Sequence, residues 1–158
     1  MITFSTLDRR ILNGAERDIA LECVLYPARR GHYELYAACV MPDHVHLLFE
    51  PQVKSEDVEG DPVFYSLAEL LQNIKSVSAH KICASRHVRG KVWEMESFDY
   101  LIRSERDLEE KFGYICSNPW NAGVAGPNEK YRWLWTWDEQ EASGESPDAA
   151  RESRALPK

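Results

Sequence analysis

Residues 33–51 read YELYAACVMPDHVHLLFEP, two β-rich runs parted by Met41-Pro42-Asp43. Such runs around a Pro-Asp break predict two strands joined by a tight connection. The second run places a histidine at 44 and another at 46, and a strand sends residues i and i+2 to the same face. His44 and His46 therefore project together, while Val45, Leu47 and Phe49 point into a core on the other side. Two imidazoles on one rigid face make half of a metal site. An isolated His-x-His pair is more often a pair of surface or hydrogen-bonded residues, so the spacing carries little weight alone.

Outward from this pair the pattern turns helical. Thr6 to Tyr26 spaces Ile11, Ala15, Ile19 and Val24 as one face of an amphipathic helix, and Pro27 to Gly31 reads as the turn after it. On the other side, Val53 to Asp61 carries Glu56, Asp57, Glu59 and Asp61 and reads as a solvated acidic loop. From Ser66, Leu67, Leu70, Leu71, Ile74, Val77 and Ile82 define a second helix ending near Ser85. A basic segment with Arg86, His87, Arg89 and Lys91 follows, then short strand or loop candidates around Val92-Trp93-Glu94 and residues 97–103. Ser104 with Asp107 opens a third helix in the manner of a capping box, with Leu108, Phe112 and Ile115 on one face. Pro119 predicts its end near Asn118.

The stretch YRWLWTWDEQ alternates Trp133, Trp135 and Trp137 like a last strand, whose rings serve core or dimer packing better than base stacking. This order of elements predicts an α+β domain with an antiparallel sheet over residues 1–137 and a disordered tail over 138–158, where apolar residues thin out.

Composition bounds the function. The chain has 158 residues, 44% of them hydrophobic, with 26 Asp and Glu against 19 Lys and Arg and a net charge of -7. One domain with a real core is expected, and a general polyanion binder coated in positive charge is excluded. No apolar run approaches the roughly 18 residues of a membrane span, and the first residues lack the pattern of a signal peptide. The expectation is a cytoplasmic protein without membrane contact. Cys23, Cys39, Cys83 and Cys116 form no Cys-x-x-Cys pair and are read as reduced, apolar filler.

The third helix holds a second chemical feature. Tyr114 and Asn118 are i and i+4 and share a face rotated away from the Leu108, Phe112, Ile115 stripe, with Lys111 one turn before Tyr114. A phenol there can act as a nucleophile if its proton is taken up, although most tyrosines of this kind only use the hydroxyl as a polar handle.

Taken jointly, these stretches resemble one family. Cys39-Val-Met-Pro-Asp-His-Val-His-Leu-Leu-Phe, Ile74-Lys-Ser with Lys81, Gly90-Lys-Val-Trp, Phe98-Asp-Tyr-Leu-Ile-Arg103 and Tyr114-Ile-Cys-Ser-Asn-Pro-Trp-Asn-Ala-Gly-Val124 are similar, in that order, to the REP-associated tyrosine transposases. These belong to the larger class of single-tyrosine transposases with a His-hydrophobic-His motif, and the likeness runs from about Thr3 to Trp137. It implies a ferredoxin-like antiparallel sheet with helices on one side, and a homodimer. By the same resemblance, His44, His46 and Asn118 would bind a divalent metal, Mg²⁺ or Mn²⁺. Tyr114 would attack single-stranded DNA bearing a hairpin to form a 5′-phosphotyrosine, and Lys75, Lys81, Arg86, Arg89, Lys91 and Arg103 are the candidate phosphate contacts.

The family pattern departs at the N-terminus, where the opening strand has only Met1 to Ser5 to form from. Two other readings stay open: a domesticated DNA-binding module that does not cleave, and a small metallohydrolase with Asp43 or Glu50 as base.

Overall fold

The computed structural model describes residues 1–138. The proposed tail, apart from Asp138, lies outside the described residues.

The two runs that open the sequence reading form β2 (Tyr33–Val40) and β3 (His44–Pro51), paired antiparallel. The N-terminal residues form a full strand, β1 (Ile2–Ser5), which pairs with β3 so that Thr3 faces His46 and Ser5 faces His44. Ile2 and Phe4 are 2% exposed, which is why so short a strand holds an inner position in the sheet.

Helix α1 (Gly14–Arg29) connects β1 to β2, and α2 (Leu67–Ser85) connects β3, through a side hairpin, to β6 (Phe98–Asp99). With α3 (Glu105–Asn121) and β7 (Leu134–Thr136), the five-stranded sheet has the order β6-β1-β3-β2-β7, antiparallel throughout. In each crossover a third strand lies between the two strands joined: β3 between β1 and β2, and β1 between β3 and β6. This is the split βαβ arrangement of a ferredoxin-like fold, with β7 added at one edge.

Side-chain parity assigns the faces. Phe4, Leu35, Val45 and Leu47 pack with Val24 of α1 and Leu70, Ile74 and Ile82 of α2. Ala37, Cys39 and Leu48 face the opposite way and pack with Ile115, Phe112 and Leu108 of α3. A register shift between Leu35 and Ala37 inverts the parity of β2, so that Leu35, Ala38 and Val40 face the first layer and Ala37 and Cys39 the second. The expectation of helices on one side thus describes α1 and α2, and α3 departs from it. The reason is that β2 and β3 are apolar on both faces and need a second cover.

Five other details differ from the sequence reading. The first helix starts at Gly14 because Asn13 caps it, accepting from Glu16 N while Glu16 accepts from Asn13 N; residues Leu7–Arg9 form a separate single turn. It continues through Pro27, which lacks the N–H of an i→i−4 bond in the last turn and is held there by burial. Pro119 is likewise buried inside α3, which runs on to Asn121. The acidic stretch is a hairpin, β4 (Val53–Glu56) with β5 (Pro62–Phe64), turned by Asp57 Oδ1 accepting from Glu59 N and Asp61 N. At Ser104 the hydroxyl accepts from Asp107 N, but the Asp107 carboxylate takes the N–H of Arg103 instead of closing the box.

Trp133 and Trp135 pack against the main core, as expected for the last strand. Trp133 lies beneath the Arg17 guanidinium at 3.5 Å and donates to Asp18 Oδ1 at 2.9 Å. All four cysteines are free thiols.

Candidate active site

Strand alternation puts His44 and His46 on the α3 side of the sheet. Their Nε2 atoms stand 3.0 Å apart, and the rings meet edge to face. The other nitrogen of each ring is held from behind: His44 Nδ1 lies 2.6 Å from Asp43 Oδ1, and His46 Nδ1 lies 2.8 Å from Thr3 Oγ1. Burial, then the neighbouring His44, pushes the His46 pKa down to about 4, so this ring is neutral at pH 7.

Asp43 is itself tied in. Its carboxylate accepts from Arg9 at 3.2 Å, and its backbone carbonyl accepts from Thr6 N and Thr6 Oγ1. Arg9 reaches it from a turn in which Asp8 and Arg9 both have φ of +53°. A left-handed conformation costs about 1–2 kcal/mol per non-glycine residue, and contacts around it must hold it there. Asp8 N donating to Glu94 and Leu7 N donating to Val92 O do so.

Helix α3 brings the tyrosine. The Tyr114 ring lies 5.4 Å from that of His46, edge to face, and is 47% exposed. Both line one open cavity of about 480 Å³ with Thr3, Phe98, Glu110 and Lys111. One turn further, Asn118 Oδ1 is buried with no hydrogen-bond partner among the described residues. A buried carbonyl oxygen left unpaired costs about 1–3 kcal/mol unless something else satisfies it.

The residues present fit a divalent metal. Two imidazole nitrogens converge, and an unsatisfied amide oxygen shares the helix of the tyrosine. No group of three His, Cys, Asp or Glu side chains able to hold a metal occurs among the described residues. A site here thus draws on two histidines and an amide, with water and substrate oxygens completing the shell, a donor set compatible with Mg²⁺ or Mn²⁺.

The basic candidates divide. Lys75 donates to Met95 O, Glu96 O and Ser97 Oγ, tying α2 to the segment before β6. Burial lowers its pKa. Arg86 is paired with the buried carboxylate of Glu16. Lys81, Arg89, Lys91 and Arg103 are exposed.

A lysine lining the tyrosine cavity is instead Lys111, whose ammonium lies 2.8 Å from Glu110 Oε1 and 4.7 Å from the centre of the Tyr100 ring. Its place three residues before Tyr114 was the signal for it in the sequence. Thr3 gave no such signal, because its role depends on the β1–β3 register.

The hydrolase bases are both engaged. Asp43 is bound by His44 and Arg9, and Glu50 accepts from Tyr36 at the far end of β3.

The fold and site define a class: a ferredoxin-like domain with a histidine pair on its sheet and a tyrosine facing it from a helix across the sheet. Residues 2–100 match the family described as IS200-like transposases, and the chain belongs to that family. A curated relative from Haemophilus influenzae, provisionally named a REP-associated tyrosine transposase, is 26% identical over 98 residues. That match covers 61% of this chain and 52% of the relative, so the chain spans about half the length of the curated relative it matches. A solved REP-associated tyrosine transposase bound to a REP hairpin superposes with a TM-score of 0.67 at 19% identity, covering 92% of this chain and 80% of the other. That likeness establishes the fold. No helix among the described residues is long and apolar enough to cross a membrane.

Proposed function

We propose that this protein cleaves and rejoins single-stranded DNA next to a hairpin, with Tyr114 as nucleophile. The observation that carries the reading is the Tyr114 ring set against His46 in one solvent-open cavity. Membership of a transposase family and the hairpin bound by the structural neighbour support it.

In the forward step the Tyr114 oxygen bonds to phosphorus, the bond from phosphorus to the 3′-oxygen breaks, and the phenol proton ends on that leaving oxygen. The products are a 5′-phosphotyrosine and a free 3′-OH. The phosphodiester energy is kept in the protein linkage, so attack by another 3′-OH reseals the strand. A divalent ion held by His44, His46 and Asn118 would withdraw charge from the scissile phosphate. Lys111 adds fixed positive charge on the same cavity wall, and Phe98 offers an exposed ring against which a base can stack. Lys81, Arg89, Lys91 and Arg103 are the proposed contacts to more distant phosphates.

Hairpin oligonucleotides from the repeats flanking the gene, incubated with the protein and Mn²⁺, should yield a fragment whose new 3′-OH a polymerase can extend. EDTA should abolish that fragment. Binding on a native gel with no extendable end under either Mn²⁺ or Mg²⁺ would reject cleavage and favour a binding module.

A further inference from the structure

The hydrogen bonds around the two histidines constrain where their protons lie. A carboxylate only accepts, so the 2.6 Å contact with Asp43 makes His44 Nδ1 a protonated nitrogen, and in the neutral ring, the form able to ligate a metal through Nε2, His44 Nε2 carries a bare lone pair. That lone pair faces His46 Nε2 at 3.0 Å. Two bare lone pairs cannot stand at that distance; either a proton or a cation must lie between them. His46 is 4% exposed, so water is no general substitute.

Behind His46 stands Thr3, 2.8 Å from Nδ1, and a hydroxyl, unlike a carboxylate, donates or accepts as required. Two networks are then self-consistent. In one, Thr3 Oγ1–H donates to His46 Nδ1, and His46 Nε2–H donates to His44 Nε2. In the other, His46 Nδ1–H donates to Thr3 Oγ1, and both Nε2 lone pairs serve a cation. The two differ by the tautomer of one ring and the rotation of one hydroxyl, with no net proton gained or lost.

We propose that Asp43 and Thr3 are positioning residues with different tasks: Asp43 locks His44 in one tautomer, and Thr3 lets His46 exchange tautomers when a divalent cation binds. Arg9 and the left-handed Asp8–Arg9 turn hold the lock in place, since Arg9 contacts the Asp43 carboxylate on its second oxygen. The proposal rests on the reading of His44 and His46 as metal ligands and extends it to how the pair is made ready.

The test uses the full chain at pH 7. Ring ¹⁵N spectra in EDTA should show His44 protonated at Nδ1 and His46 at Nε2. With Zn²⁺ as a diamagnetic probe, both rings should be protonated at Nδ1. By titration calorimetry, Thr3→Val and Asp43→Ala should lower Mn²⁺ affinity about 10- to 100-fold, the usual effect of losing such an outer partner. Thr3→Ser should restore nearly the whole affinity, and Asp43→Asn, which keeps the shape but lets the amide donate, should lower it.

Thermal melts identify any variant that fails to fold, and Thr3→Ser and Asp43→Asn then carry the comparison. An unchanged His46 tautomer on adding Zn²⁺ overturns the exchange. Wild-type Mn²⁺ affinity in Asp43→Asn overturns the lock. If His44→Ala and His46→Ala bind Mn²⁺ as wild type does, the metal reading itself falls, and the proposal with it.

Discussion

Glu16 is 1% exposed, and three groups converge on its carboxylate: Arg10, Arg86 and the N–H of Asn13. It caps α1 and receives the arginine that follows α2, so one buried charge fastens both helices on that face of the sheet. Removing one partner of a buried pair strands the others, at a cost of about 3–5 kcal/mol. Glu16→Ala should therefore lose that much stability in urea unfolding, and Glu16→Gln, which can still accept, should lose less. Neither change touches the tyrosine cavity.

Lys111 is the opposite case: in the proposed function its contribution is to binding. If it meets one phosphate, Lys111→Ala should flatten the dependence of log affinity on log salt by about 0.7 for single-stranded DNA, with melting temperature nearly unchanged. A slope equal to wild type would remove Lys111 from the interface.

Helix α3 presents Tyr114 and Asn118 because Ile115, 0% exposed between them in sequence, is anchored against Ala37, Cys39 and Leu48. Ile115→Ala should cost about 2–5 kcal/mol and loosen the tyrosine's placement along with it, whereas Ile115→Val should cost about 0.5–1.5. Chemical denaturation of the two variants checks the difference.

At this scale the sequence was informative where periodicity and capping agree: Ser66 with Glu69 starts α2 in the structure where the pattern starts it, and the His44/His46 strand keeps its predicted parity. It misled where a proline was buried, since burial of Pro27 and Pro119 is a tertiary effect that overrides their local preference. The hairpin at 53–64 was hidden because every residue of its strands is exposed on both faces and leaves no buried-exposed alternation. Tyr114, Asn118 and the histidines could be named as candidates only from the joint resemblance of their motifs to one family, since the spacing of each carries little weight alone. Thr3 and the Asp43–Arg9 contact could not, because they depend on strand register and on a turn of two left-handed residues.

For the whole molecule, a net charge of -7 means that the DNA of the proposed function would have to be met locally. Of the six basic residues singled out in the sequence, Lys75 and Arg86 are engaged inside the protein. Four remain, with Lys111 as a fifth. The salt dependence of hairpin binding should accordingly have a log–log slope no steeper than about 4–5. A much steeper slope would point to cations outside this set.

In the proposed mechanism Tyr114 becomes covalently joined to DNA. The most direct measurement mixes the protein with a 3′-labelled single-stranded hairpin substrate and Mn²⁺, boils the mixture in detergent, and separates it on a denaturing gel beside Tyr114→Phe. A labelled band at the combined mass of protein and DNA fragment is expected for the wild type, with mass spectrometry locating the phosphate on Tyr114, and no such band for the variant. A covalent band that persists in Tyr114→Phe, or cleavage that leaves no protein on the 5′ end, would contradict the mechanism.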